Sequence, residues 1–205
     1  MKTIFWNVDT QYDFMRPDGK LPVKDANLIE PNLKKLTEFA EKNNYQVVNT
    51  ADWHNSKSEE ISDNPNYRTT FPQHCMIRTE GAEFIQATKP KDPYMIDWQD
   101  DKIDPYELQT RNIVLYKDKF DIFTGSKHAN KVLEILNPDK AVVYGVATNV
   151  CVDYAINGLL DRKIKVYIPT DAIKELPNLQ LEEILRNWER KGAILTTTEE
   201  ITRWA

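Results

Sequence analysis

The chain is predicted to be an α/β protein, with three layers (α/β/α) around a mostly parallel central sheet of about six strands. Short apolar segments alternate along it with segments whose apolar residues recur at helical spacing. The strand segments are apolar throughout rather than alternating, the pattern of a parallel sheet covered on both faces. Its 205 residues suffice for one full hydrophobic core, so 1–205 is read as a single domain.

Residues 4–8 form the first predicted strand, which stops at Asp9. Residues 26–42 place Leu28, Leu33, Leu36, Phe39 and Ala40 on one helical stripe. Residues 46–50 form the second strand and lead into Asp52-Trp53-His54. The stretch 52–111 holds many of the prolines, several aromatics and much of the charge, and no regular element is predicted there. An irregular stretch of that length inside a compact domain is usually functional. A third strand at 112–116 runs into Lys117, and a helix follows at 127–136. Residues 141–144 form the fourth strand. The small residues Ala147 and Thr148 then break the run, and apolar residues return at helical spacing over 149–163. Cys151 therefore falls in the first turn of a helix that follows a strand, where the N-terminal field favours thiolate. A fifth strand at 165–168, a helix at 179–191 and a short sixth strand at 193–196 complete the pattern.

Composition narrows the functional classes. The chain is 40% hydrophobic and 29% charged, as a soluble globular protein is. A net charge of -5 without a long basic run argues against nucleic acid or an anionic membrane surface as partner. No segment approaches the roughly 20 apolar residues of a membrane span. The N-terminal apolar run is too short for a signal peptide and meets Asp9, so a cytoplasmic location is expected. In that compartment Cys75 and Cys151 are expected to stay reduced.

Ligands bind at the carboxyl ends of the strands in such a sheet. Asp9, Asp52-Trp53-His54, Lys117 and Cys151 all fall at that edge. A thiol needs a base to take its proton and a positive field to hold the thiolate. Asp9 and Lys117 are the candidates. Taken singly, an Asp after a strand caps a turn, a Lys is solvated and a Cys packs. An Asp-x-His pair at a strand end, with Glu60 and His74 further on, offers oxygen and nitrogen donors to one divalent cation, suited to zinc, iron or manganese. The competing reading makes His54 and His74 surface loop residues. Phe14, Trp53 and Phe71 could sandwich a flat ring near this cleft, or be ordinary core.

The chain resembles the isochorismatase-like cysteine hydrolases, and within them the nicotinamidases. Four segments carry the resemblance: Val8-Asp-Thr-Gln-Tyr-Asp-Phe14, Asp52-Trp-His54, Phe71-Pro-Gln-His-Cys75 with Thr79-Glu-Gly-Ala-Glu-Phe84, and Gly145-Val-Ala-Thr-Asn-Val-Cys151. Lys117 in Tyr-Lys-Asp-Lys-Phe-Asp-Ile-Phe123 joins them in the expected order. The resemblance implies Asp9, Lys117 and Cys151 as catalytic triad, and Asp52, His54 and His74 as ligands of one divalent metal, zinc first, with iron or manganese as alternatives. A fourth ligand position, often histidine in the family, is Glu60 here. It also implies a cis peptide at Val146-Ala147 and an oxyanion site made by the N–H groups of Ala147 and Cys151. The substrate implied is nicotinamide, a small-molecule amide, with Phe14, Phe71 and Trp53 around its ring. Phe71 stands where tryptophan is usual and Arg78 where glycine is usual, and both bear on the pocket's shape. A related hydrolase of carbamoyl or ureido amides is the second reading, and a metal-binding pseudoenzyme the third. An isochorismatase, which cleaves a vinyl ether, has no need of the metal site. A homo-oligomer is compatible with this reading.

Overall fold

The computed structural model describes residues 1–177 and 181–204. Eight strands form one sheet: β1 (Thr3–Val8), β2 (Gln46–Asp52), β3 (Tyr94–Ile96), β4 (Ile113–Lys117), β5 (Lys140–Val146), β6 (Lys165–Pro169), β7 (Ile173–Lys174) and β8 (Ile194–Thr196). The order is β3-β4-β2-β1-β5-β6-β8, with β7 added beside the end of β5, and these pairings are parallel. From β1 the chain winds outward one way through β2 and β4, and the other way through β5 and β6. The carboxyl ends of β1 and β5 therefore meet at the point where the winding reverses, which is where open α/β sheets bind ligands.

Successive side chains on β1 enter different layers. Ile4, Trp6 and Val8 join one core cluster, and Phe5 joins the other. The helices are α1 (Tyr12–Met15), α2 (Glu30–Lys42), α3 (Pro105–Thr110), α4 (Ile122–Gly125), α5 (Ala129–Leu136), α6 (Cys151–Asp161), α7 (Leu181–Arg190) and α8 (Thr198–Ile201). α2 and α8 cover the face of Phe5, Val47, Val142 and Tyr144. α3, α5, α6 and α7 cover the opposite face through Leu108, Val132, Ile156 and Trp188. Among the described residues no helix is long and apolar enough to cross a membrane.

The register sets the site edge. Val8 pairs with Thr50 on one side and Gly145 on the other, and Asp52 pairs with Lys117. Gly145 has φ of 124°, and a Cβ there would lie 2.1 Å from the Val8 carbonyl oxygen. Only glycine lets β5 run so close to the end of β1.

The sheet has eight strands rather than about six. β3 and β7 escape sequence reading because they are three and two residues long, shorter than any periodicity can register. β3 is extended because it pairs with β4 at the sheet's edge. The helix expected from residue 26 begins as a 3-10 turn, Ala26–Ile29, and becomes α-helical at Glu30, with Pro31 in its first turn. That change of phase turns Leu28 out to solvent, 70% exposed, while Leu33, Leu36 and Ala40 stay buried. Of the helix expected at 179–191, Leu179 and Gln180 lie outside the described residues.

Candidate active site

Asp9, Lys117 and Cys151 converge beyond the ends of β1, β4 and β5. Asp9 takes a left-handed backbone at the strand end, with φ of 48°. Its N–H donates to the Thr50 carbonyl (3.2 Å), and its Oδ1 accepts from the Thr50 hydroxyl (2.7 Å). Lys117 Nζ lies 3.0 Å from Asp9 Oδ2 and 3.7 Å from Cys151 Sγ, and it also donates to Asp52 Oδ1. The Lys117 side chain is only 1% exposed, so its charge stands on these partners alone. Burial works against that charge, yet Asp52, Asp9 and Cys151 outweigh it and hold the ammonium well above the ordinary lysine range.

Cys151 opens α6, and its neighbours Val150 and Val152 donate their N–H groups to the Ala147 carbonyl (3.0 and 3.1 Å). The helix field alone predicts a depressed thiol pKa. The structure reverses that: burial, opposed by Lys117 but helped by the Asp9 and Asp52 charges, pushes the thiol well up. Burial likewise raises Asp9, against the pull of Lys117. The resting pair is thus a thiol within 4.8 Å of a carboxylate whose proton affinity is raised. Both Cys75 and Cys151 are free thiols. The Val146-Ala147 peptide is cis.

Asp52, His54 and His74 form a second group whose donor atoms lie within 4.8 Å of one another. Asp52 Oδ2 is 3.6 Å from Nε2 of both His54 and His74. Donors about 2.1 Å from a tetrahedral zinc stand about 3.4 Å apart, so the spacing fits one ion. The imidazoles support this. His74 Nδ1 must donate to the Pro72 carbonyl (2.7 Å), which leaves Nε2 as a lone pair facing the group. His54 is fully buried, with neither ring nitrogen hydrogen-bonded among the described residues. Charge agrees as well, since Asp9 and Asp52 face a single buried ammonium. Glu60 stands outside the tight group because its Oε1 accepts from the Phe120 N–H (3.0 Å). Its Oε2 is buried without a partner among the described residues, and burial, opposed by Lys117, raises its pKa to about 8.

One pocket joins the two groups. Cys151, Ala147, Asp52 and His74 all line it, with Phe14, Phe71 and Phe120 among its apolar walls. Phe14 packs 5.4 Å from the His74 ring, and Phe71 meets Phe120 edge-on at 5.8 Å and 86°. Trp53 does not line this pocket. Side chains alternate along an extended chain, so the residue after Asp52 points away from the site. Trp53 stacks instead on Tyr116, with ring centres 4.3 Å apart.

Several residues around the site escaped sequence reasoning. Phe120 sits three residues past Lys117 in a loop, with no periodicity to mark it. Thr50 reads as an ordinary strand residue. Gln11 and Asp13 lie inside a noticed motif, but their partners are backbone groups elsewhere in the chain: Asp52 for Gln11, and Lys20 and Cys75 for Asp13.

Comparison with known proteins follows the same line. The model of the isochorismatase domain matches residues 3–200. A nicotinamidase of Saccharomyces cerevisiae is 28% identical over 175 residues, covering 74% of this chain and 78% of the yeast protein. A pyrazinamidase of Pyrococcus horikoshii, solved in complex with zinc, superposes with a TM-score of 0.75 at 22% identity, over 96% of this chain and 99% of that one. An N-carbamoylsarcosine amidase of Thermoplasma acidophilum also superposes at 0.75, with 20% identity over 97% and 98% of the two chains. At these identities the two superpositions speak for the fold.

Proposed function

The chain belongs to the isochorismatase family, and on that premise we propose that it is a nicotinamidase, hydrolysing nicotinamide to nicotinate and ammonia. The observation that carries this reading is the shared pocket: a cysteine with a paired lysine and carboxylate and an Asp/His/His donor set meet in one cavity with aromatic walls. A pyridine carboxamide has one end for each. The name of the yeast relative supports the same assignment.

A divalent cation held by Asp52, His54 and His74, with Glu60 beside them, would anchor the pyridine nitrogen directly or through water. Zinc suits this oxygen and nitrogen set, and iron(II) or manganese(II) also suit it. Phe14, Phe71 and Phe120 flank the ring. Asp9 takes the Cys151 proton as Sγ attacks the carboxamide carbon. The N–H groups of Ala147 and Cys151 hold the oxyanion, at about 3 kcal/mol for one such donor. Asp9 then delivers its proton to the departing nitrogen, and ammonia leaves a thioester on Cys151. Water attacks that thioester with Asp9 as base, nicotinate departs, and the proton returns to the Cys151 sulfur. Lys117 stays charged throughout and holds Asp9 in place. In this reading residues 1–205 are one hydrolase domain, with 52–111 supplying the cation site and, through Asp52, Phe71 and His74, part of the pocket wall.

Ammonia release from nicotinamide, compared with release from N-carbamoyl substrates, tests the proposal. Nicotinamide should be the faster substrate, and a chelator should abolish the activity until zinc, iron(II) or manganese(II) is returned. Faster release from a carbamoyl amide, or full activity in chelator, would contradict it.

A further inference from the structure

The segment Asp9-Thr-Gln11-Tyr-Asp13 carries Asp9, Gln11 and Asp13, of which the proposed chemistry uses only the first. Gln11 and Asp13 are nevertheless buried. Gln11 clamps the main chain of Asp52 from both sides. Its Oε1 accepts from the Asp52 N–H (2.7 Å) and its Nε2 donates to the Asp52 carbonyl (2.8 Å). The same Nε2 donates to the Ala82 carbonyl (2.9 Å), so the 3-10 turn Glu80–Ala82 is tied in as well.

Asp13 grips the other ligand-bearing segment. Its Oδ2 accepts from the Cys75 N–H (2.7 Å) and its Oδ1 from the Lys20 N–H (2.9 Å). The Cys75 carbonyl in turn accepts from the His54 N–H (3.1 Å). One residue, Cys75, thus joins the peptide that carries His74 to the backbone that carries His54, and Asp13 holds its free N–H. Gly81 shields this carboxylate so closely that a Cβ there would lie 2.1 Å from Asp13 Oδ2.

We propose that Gln11 and Asp13 are positioning residues for the cation site, Gln11 setting Asp52 and Asp13 setting His54 and His74. The inference rests on the reading in which those three residues hold a divalent cation. It makes the motif a single device: Asp9 faces the nucleophile, and Gln11 and Asp13 place the ligands relative to it.

The test uses the full chain with Gln11→Glu, Asp13→Asn and Gly81→Ala. The first keeps one acceptor and loses the amide donor. The second puts an amide where two N–H groups need an acceptor. The third leaves Asp13 intact and forces its carboxylate aside. Zinc affinity is measured by competition with a chromogenic chelator, and the cobalt(II)-loaded proteins are compared by visible absorption. Each variant should bind zinc about 10–100-fold more weakly than wild type, as loss of supporting partners does at metal sites. Each should also show an altered cobalt spectrum while the far-UV circular dichroism stays native. Unchanged zinc affinity and spectrum in folded variants would overturn the positioning role and leave the cation site standing. Should Asp13→Asn fail to fold, Gln11→Glu and Gly81→Ala decide by the same readouts. A wild-type chain that binds neither zinc nor cobalt would overturn the reading beneath the proposal, and the proposal with it.

Discussion

Asp52 meets the Lys117 ammonium through Oδ1 and faces the two imidazoles through Oδ2. One buried carboxylate therefore belongs both to the charge cluster around the nucleophile and to the cation site. Asp52→Asn should disturb the two together. It should weaken zinc binding by at least about tenfold and change the rate at which iodoacetamide alkylates Cys151. His54→Ala, which lies on the far side of the carboxylate, should weaken zinc binding alike but leave alkylation of the metal-free protein near the wild-type rate. Peptide mapping separates Cys151 from Cys75. Equal alkylation rates in all three metal-free proteins would argue that Asp52 does not couple the groups.

Lys117→Met removes the buried ammonium that Asp9 and Asp52 share. Breaking a buried pair and leaving its charges unpaired costs about 3–5 kcal/mol, which for a chain of this size lowers Tm by roughly 10 °C. Activity should be lost as well. Thermal unfolding by circular dichroism reads the first effect, and an unchanged Tm would mean that the carboxylates are not ionised in the folded protein.

The acid limb of the kcat/KM profile should report Asp9. Burial raises this carboxyl above its ordinary value of 3.8. Below its folded pKa Asp9 is protonated and cannot take the thiol proton, so the rate falls as pH falls through that value. The limb should therefore lie above the ordinary aspartate value of 3.8. Thr50→Val removes the hydroxyl that donates to Asp9 Oδ1 at 2.7 Å, a bond that favours the charged form. It should move the limb higher still. A limb at the ordinary carboxylate value, unmoved by Thr50→Val, would exclude Asp9 as the titrating group.

Phe120 meets Phe71 edge-on at the pocket wall. Phe120→Ala should raise KM for nicotinamide about 3–10-fold, the scale of one aromatic contact, with kcat within about twofold. A loss confined to kcat would place Phe120 against the reacting atoms rather than the ring.

The strand ends made much of this site legible in the sequence. Asp9, Asp52, Lys117 and Cys151 each follow an apolar strand, and a parallel sheet delivers such residues to one edge. His74 was legible only through its motif, because it sits in a loop whose path no periodicity predicts. The phase of side chains leaving a strand explains Trp53, since one residue's shift past Asp52 turned an expected ring partner toward Tyr116. Backbone-directed side chains were the hardest to see. Gln11 and Asp13 bind main-chain groups up to 71 residues away, and the sequence of an acceptor peptide says nothing about its partner. Charge balance was also hidden. A helix N-terminus suggested a depressed thiol pKa at Cys151, whereas burial beside two carboxylates outweighs it.

Acid-quench mass spectrometry during turnover of nicotinamide tests the central claim most directly. A nicotinoyl group should appear on the peptide containing Cys151, and neither that adduct nor ammonia release should be found with Cys151→Ala. Ammonia release persisting at the wild-type rate in Cys151→Ala, with no acylated Cys151 in the wild type, would contradict the account.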